Sequence, residues 1–198
     1  MKRSPLNRVK SSPHSLFVTG ILGLIVGLSA ATFISKESSS RHQQGYPQSE
    51  SVISVCFTPN KLCERLILDE IEAAKKTILV QAYSFTDPFI TAALVVAFKR
   101  GVDVRVLLDK SNLSDGHSQK DYIIQNGIPI RFDRPQGIAH NKVIIIDDLR
   151  TLTGSYNFSK AAYTRNTENL LIISNSRLAM DYRANWEKRW DISYEHTP

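Results

Sequence analysis

The segment His140-Asn141-Lys142 sets an imidazole and an ammonium two residues apart. On an extended strand such residues point to the same side. An imidazole beside an ammonium suits an anionic ester: the ammonium binds phosphate oxygens while the imidazole acts on phosphorus. Residues 143–146 are uniformly apolar (VIII), the pattern of a strand buried on both faces. The polar pair is then left at the rim, with Asp147 at the strand's far end. Ser155 and Asn157 are again two apart, just past Gly154. Such a turn can aim a hydroxyl and a carboxamide at one anion. Glu168 directly precedes an apolar run, NLLII. Its carboxylate can hold one imidazole nitrogen and leave the other free to attack. Taken singly, each residue has a plainer explanation. His beside Lys is usually a surface pair, Asp147-Asp148 suits a turn, Ser155 and Asn157 suit helix caps, and Glu168 a solvated charge. The combination of types and spacings is what points to chemistry.

The elements that must position these residues alternate. Residues 51–57 read as a strand and 60–76 as a helix, with Leu62, Leu66, Ile67, Ile71 and Ala74 at helical spacing. Residues 77–83 form a buried strand. Asp87-Pro88 opens a helix as N-cap and first helical residue, and Gly101 stops it. Strands are expected at 102–108, 128–132 and 140–147, with a polar loop at 112–116 and a short helix at 118–125. A turn at 148–150 leads to a return strand at 151–153. A short helix at 157–163, a strand at 168–174 and a closing helix at 176–190 follow. This βα alternation predicts a layered α/β sandwich. Its sheet is expected to be mixed and mostly parallel, flanked by helices.

H-x-K-x-x-x-x-D (140–147), G-S-x-N-F-S (154–159) and N-x-E-N (166–169) together resemble the signature of the phospholipase D superfamily, with every motif position filled. The upstream stretch ILVQAYSFTDPFITAALVVAFKRGVDVRVLLD is similar to the small bacterial endonuclease branch, which has one motif per chain. The resemblance spans about residues 52–192. It implies His140 as nucleophile, Lys142, Ser155 and Asn157 as phosphate-binding groups, and Glu168 as partner of His140. Asp147, at the strand's far end, is expected to have a supporting role among the catalytic residues. The family's chemistry needs two histidines, one attacking phosphorus and one protonating the leaving oxygen. His14, His42, His117 and His196 lack a Lys two residues on. A homodimer with a shared active site is therefore expected, with no metal and no cofactor. The substrate implied first is nucleic acid, cut by a non-specific endonuclease. The alternative is a phospholipid, cut by a phospholipase D. A non-catalytic phosphate-binding protein is the third reading, and an intact nucleophile argues against it.

The net charge of +6 invites a polyanion reading. Its location weakens that reading. Five of the 25 Lys and Arg residues precede the first acid, Glu37, which leaves 20 against 19 acids over 37–198. The folded part is thus nearly neutral. Residues 1–15 are basic, and residues 16–34 carry no charge. This is the pattern of a signal peptide or an N-terminal membrane anchor over 1–34. Ser29 and Ala31 fit the −3 and −1 positions of a cut after Ala31. Residues 35–50, rich in Ser and Gln, read as a linker, and 51–198 as the catalytic domain. The domain is then exported: periplasmic, secreted or held to the membrane. Cys56 and Cys63 read either as a disulfide, as export allows, or as two small buried apolar residues. No His or Cys nearby completes a metal set.

Overall fold

The computed structural model describes residues 51–195. The expectations for residues 1–34 and 35–50 lie outside them. The described chain forms β1 (Val52–Phe57), α1 (Leu62–Ala73), β2 (Thr77–Ala82), α2 (Pro88–Lys99) and β3 (Asp103–Asp109). A 3-10 turn (Lys110–Leu113) and α3 (Lys120–Gln125) lead to β4 (Ile130–Asp133). Then come β5 (Lys142–Ile146), β6 (Arg150–Gly154), α4 (Lys160–Thr164), β7 (Asn169–Ser174), α5 (Ser176–Asp191) and β8 (Tyr194–Glu195).

The eight strands make one sheet in the order β1-β7-β6-β5-β2-β3-β4-β8. It is a mixed sheet flanked by helices, as the βα alternation implies. The balance of directions differs from the expectation of a mostly parallel sheet. Only β2–β3 and β3–β4 are parallel; the other five pairings are antiparallel. A parallel pair needs a long crossover. The segments holding α2 and α3 supply it for these two neighbouring pairs. After β5 the chain returns by a hairpin, in which Asp147 and Asp148 both take positive φ, 55° and 57°. Two such residues are what a tight hairpin of the primed type requires.

The helices cover the sheet unequally. One face packs on α1 and α2 through Ile67, Ile71, Ile90 and Leu94, against Ile78, Val80, Ile144 and Ile146. The other face meets α5, where Ala179 and Trp186 pack on Leu79, Leu107, Val143 and Ile145. The Trp186 indole N–H donates to the Val80 carbonyl at 2.9 Å, fixing α5 over the sheet's centre. Asp87 caps α2, as its Oδ1 accepts from the Phe89 and Ile90 N–H groups; such a cap contributes about 1 kcal/mol. Cys56 and Cys63 are joined in a disulfide.

Candidate active site

All the motif residues but one gather at one edge of the sheet, because the register brings them there. Ala82 pairs with Lys142, Val143 with Thr153, Gly154 with Leu170, and Asn169 with Phe57. The end of β2, the start of β5, the end of β6 and the start of β7 therefore share one rim. Lys142 and Glu168 fall in the same alternation as Ile144 and Leu170, so both lie on the side that packs on α1 and α2.

His140 lies in the extended lead-in just before β5 rather than in the strand, and it is exposed. Lys142 is buried, with 6% of its surface accessible. Its Nζ donates to the His140 carbonyl at 3.2 Å and lies 5.2 Å from the centre of the Tyr83 ring. Burial pushes the Lys142 ammonium below its ordinary pKa, and Glu168 pulls it back up. The ammonium is thus partly dehydrated, and the nearby carboxylate favours its charged form. Glu168 is half-buried, and its Oε1 accepts from Asn166 Nδ2 at 2.9 Å. Within the single chain described here, Glu168 and His140 are not hydrogen-bonded.

The loop after β6 is built on one close approach. The Ser155 and Tyr156 N–H groups both donate to the Asn169 carbonyl, at 3.1 and 3.2 Å. Ser155 Oγ accepts from the Asn169 N–H at 3.1 Å. A Cβ on Gly154 would stand 2.3 Å from the Asn169 oxygen, and the glycine has φ of 153°. Only glycine fits there. Tyr156 and Phe158 are fully buried and anchor the loop, leaving Ser155 exposed and Asn157 half-buried at the rim. Helix α4 starts at Lys160, three residues later than the sequence pattern suggests.

Asp147 stands apart. It ends the hairpin strand seven residues from His140, about 23 Å of extended chain. Its carboxylate accepts from the N–H groups of Lys75, Lys76 and Thr77 at 2.7 to 2.9 Å. Burial would raise its pKa, but these three N–H groups, with Arg150, hold it below the usual carboxylate range. The geometry assigns it to the α1–β2 junction.

Several residues around the site carried no signal in the motifs. The Tyr83 ring meets the His140 imidazole edge-on at 4.6 Å. The Tyr83 N–H donates to the Asn141 carbonyl at 2.9 Å, and its carbonyl accepts from Asn112 Nδ2 at 2.6 Å. Asn112, expected in a polar loop, is buried. Asp109, at the end of β3, accepts the Ala139 N–H at 2.6 Å and so holds the residue before His140. Among the basic residues of the described chain, Lys110 bonds the Pro135 carbonyl. Lys120 pairs with Asp121, Arg131 pairs with Glu195, and Arg134 stacks on Tyr194. Lys160 opens α4, Arg165 follows its last residue, and both are exposed.

A family model described as the cardiolipin synthase, PLD-like domain matches residues 67–190. A phospholipase D of Rickettsia bellii is 45% identical over 141 residues, 71% of this chain and 70% of that one. A phospholipase D of Rickettsia conorii is 41% identical over 181 residues, 85% of this chain and 90% of that one. Among solved structures, Nuc from Salmonella typhimurium, a phospholipase D family member, superposes with a TM-score of 0.71. It is 40% identical and covers 75% of this chain and 100% of its own.

Proposed function

The chain belongs to the phospholipase D superfamily, and on that premise we propose that it is a metal-independent phosphodiesterase working through a phosphohistidine on His140. The observation that carries this reading is an exposed imidazole two residues from a buried ammonium that Glu168 stabilises. The His140 nitrogen attacks phosphorus, an N–P bond forms, and the P–O bond to the leaving group breaks. A second histidine gives its proton to the departing oxygen. That histidine then takes a proton from water, whose oxygen attacks phosphorus and releases His140. Lys142 supplies the positive charge at the phosphate, with Ser155 and Asn157 at the rim. Turnover undiminished by EDTA is expected.

The second histidine comes from a second copy of the chain. The sheet's α5 side supports this reading. Helix α5 covers the centre of that face, while Ile53, Val55 and Phe57 of β1 stand 57%, 51% and 63% exposed beside it. So open an apolar face is characteristic of an interface. A two-fold dimer that also joined the rims holding His140 would let Glu168 reach the histidine of the other copy. A fully active monomer in sedimentation would contradict the dimer.

A phospholipid headgroup ester is the substrate that the names of the relatives 41–46% identical support. The near-neutral folded part fits it too. Nucleic acid is the second reading, favoured by exposed Lys160 and Arg165 beside the phosphate loop. Residues 1–34 would export the domain or hold it to the membrane. Phosphatidylcholine vesicles, plasmid DNA and RNA given in parallel, with His140→Asn as blank, separate the two. Release of phosphatidic acid alone is expected; cleavage of nucleic acid alone would reverse the order.

A further inference from the structure

The loop between β1 and α1 does more than connect them. It leaves β1 after Phe57 and enters α1 at Leu62, and the Cys56–Cys63 disulfide closes it across eight residues. Thr58 sits in this loop, yet it is 6% exposed. Its N–H donates to the Glu168 carbonyl at 3.0 Å. Its Oγ1 accepts from the Glu168 N–H at 2.9 Å and donates to the Asn166 carbonyl, also at 2.9 Å. The β1–β7 ladder ends one pair earlier, at Phe57 and Asn169. Past that point Thr58 supplies the partners that a strand would otherwise supply.

We propose that Thr58 is a positioning residue for Glu168, and that the Cys56–Cys63 disulfide holds the loop that presents it. Asn166 completes the clamp. Thr58 accounts for its backbone carbonyl, and its side chain donates to Glu168 Oε1 at 2.9 Å. The Glu168 carboxylate is thereby fixed through its own backbone and through its neighbour. One hydroxyl serves both, as a hydroxyl can donate and accept at once. A valine of nearly the same shape can do neither, and it leaves the Glu168 N–H and the Asn166 carbonyl without those partners. Both cysteines are buried, 3% and 0% exposed, so the bridge opens only when the loop moves. Reduction removes the tie between β1 and α1 and lets Thr58 withdraw from the 166–168 segment. This role rests on the catalytic part given above to Glu168.

The test uses the full chain and a chromogenic phosphodiester, bis(p-nitrophenyl) phosphate. Thr58→Val is expected to lower kcat about tenfold, the weight of one ordinary hydrogen bond, with KM changed little. Thr58→Ser should restore activity to within about twofold, because the hydroxyl is what matters. A structural lesion alone would leave the pH profile in place. Here the alkaline limb should move to lower pH, because a displaced Glu168 no longer raises the pKa of Lys142. Asp87, Glu64 and Tyr163 act with Glu168 on the buried Tyr156, and all of them stay unchanged in these variants. In a Glu168→Gln background, Thr58→Val should cost nothing further. Reduction of the wild-type disulfide should reproduce the loss and leave Glu168→Gln unaffected; that arm decides the matter if Thr58→Val does not fold. Wild-type activity in Thr58→Val, or the same loss in the Glu168→Gln background, would overturn the positioning role alone. Wild-type activity in Glu168→Gln would remove the role of Glu168 and this one with it.

Discussion

The ring of Tyr83 meets the imidazole of His140 edge-on, with centroids 4.6 Å apart and planes inclined at 62°. The same ring lies 5.2 Å from the Lys142 ammonium. One aromatic side chain thus meets both the imidazole and the ammonium to which the proposed mechanism gives the chemistry. Replacing Tyr83 by Leu should lower kcat about fivefold, as expected for one cation–π contact of moderate strength. It should also move the alkaline limb of the pH profile down, because Lys142 loses a partner that favours its charged form. Tyr83→Phe should keep both at wild-type values, since the ring and not the hydroxyl makes these contacts. Steady-state kinetics across pH check this; a Leu variant with wild-type kinetics would refute it.

Gly154 and Asn169 tie the loop after β6 to β7. A Cβ at Gly154 would stand 2.3 Å from a backbone oxygen, which no side-chain rotation relieves. Gly154→Ala should cost about 1–3 kcal/mol of stability. Displacing Ser155 and Asn157 by about 1 Å should cost on the order of a hundredfold in kcat. Thermal unfolding and kcat measured on one preparation check both. Gly154→Ala with unchanged kcat would show that the loop does not need this approach.

Asp147 belongs to the same motif as His140 but should behave as a structural residue. Its depressed pKa means it stabilises the fold above the unfolded-state pKa, about 3.9. That contribution is lost as pH falls through the lower folded-state value. Asp147→Asn should therefore lose about 1–3 kcal/mol near neutral pH, with the gap to wild type closing in acid. Its kcat should stay near wild type at temperatures where both are folded. Denaturant unfolding at several pH values checks the first point. A natively stable Asp147→Asn without turnover would return Asp147 to the chemistry.

Much of this was legible in the sequence, because the signals were local. Asp87-Pro88 started a helix, the apolar run 143–146 marked a doubly buried strand, and the spacing of His140, Lys142, Ser155 and Asn157 marked a rim. The strand directions were less legible. Whether a strand pairs parallel or antiparallel depends on partners far away in the chain, and β1 joins β7 across more than a hundred residues. The supporting shell was hidden for the same reason. Thr58, Tyr83 and Asp109 reach Glu168, His140 and Ala139 only after the sheet has assembled. Each looks like an ordinary strand-end or loop residue beforehand. Asn169 was visible as a motif letter, but its use as a latch on Gly154 was not.

The most direct test concerns His140 itself. Full-length protein is mixed with a substrate carrying a ³²P-labelled phosphodiester, quenched in alkali within one turnover, and digested for peptide mapping. The predicted result is an acid-labile, alkali-stable label on the peptide containing His140. The label should be absent in His140→Asn, whose turnover should fall on the order of a thousandfold or more. Turnover retained in His140→Asn, or label on a peptide that lacks His140, would contradict the phosphohistidine mechanism.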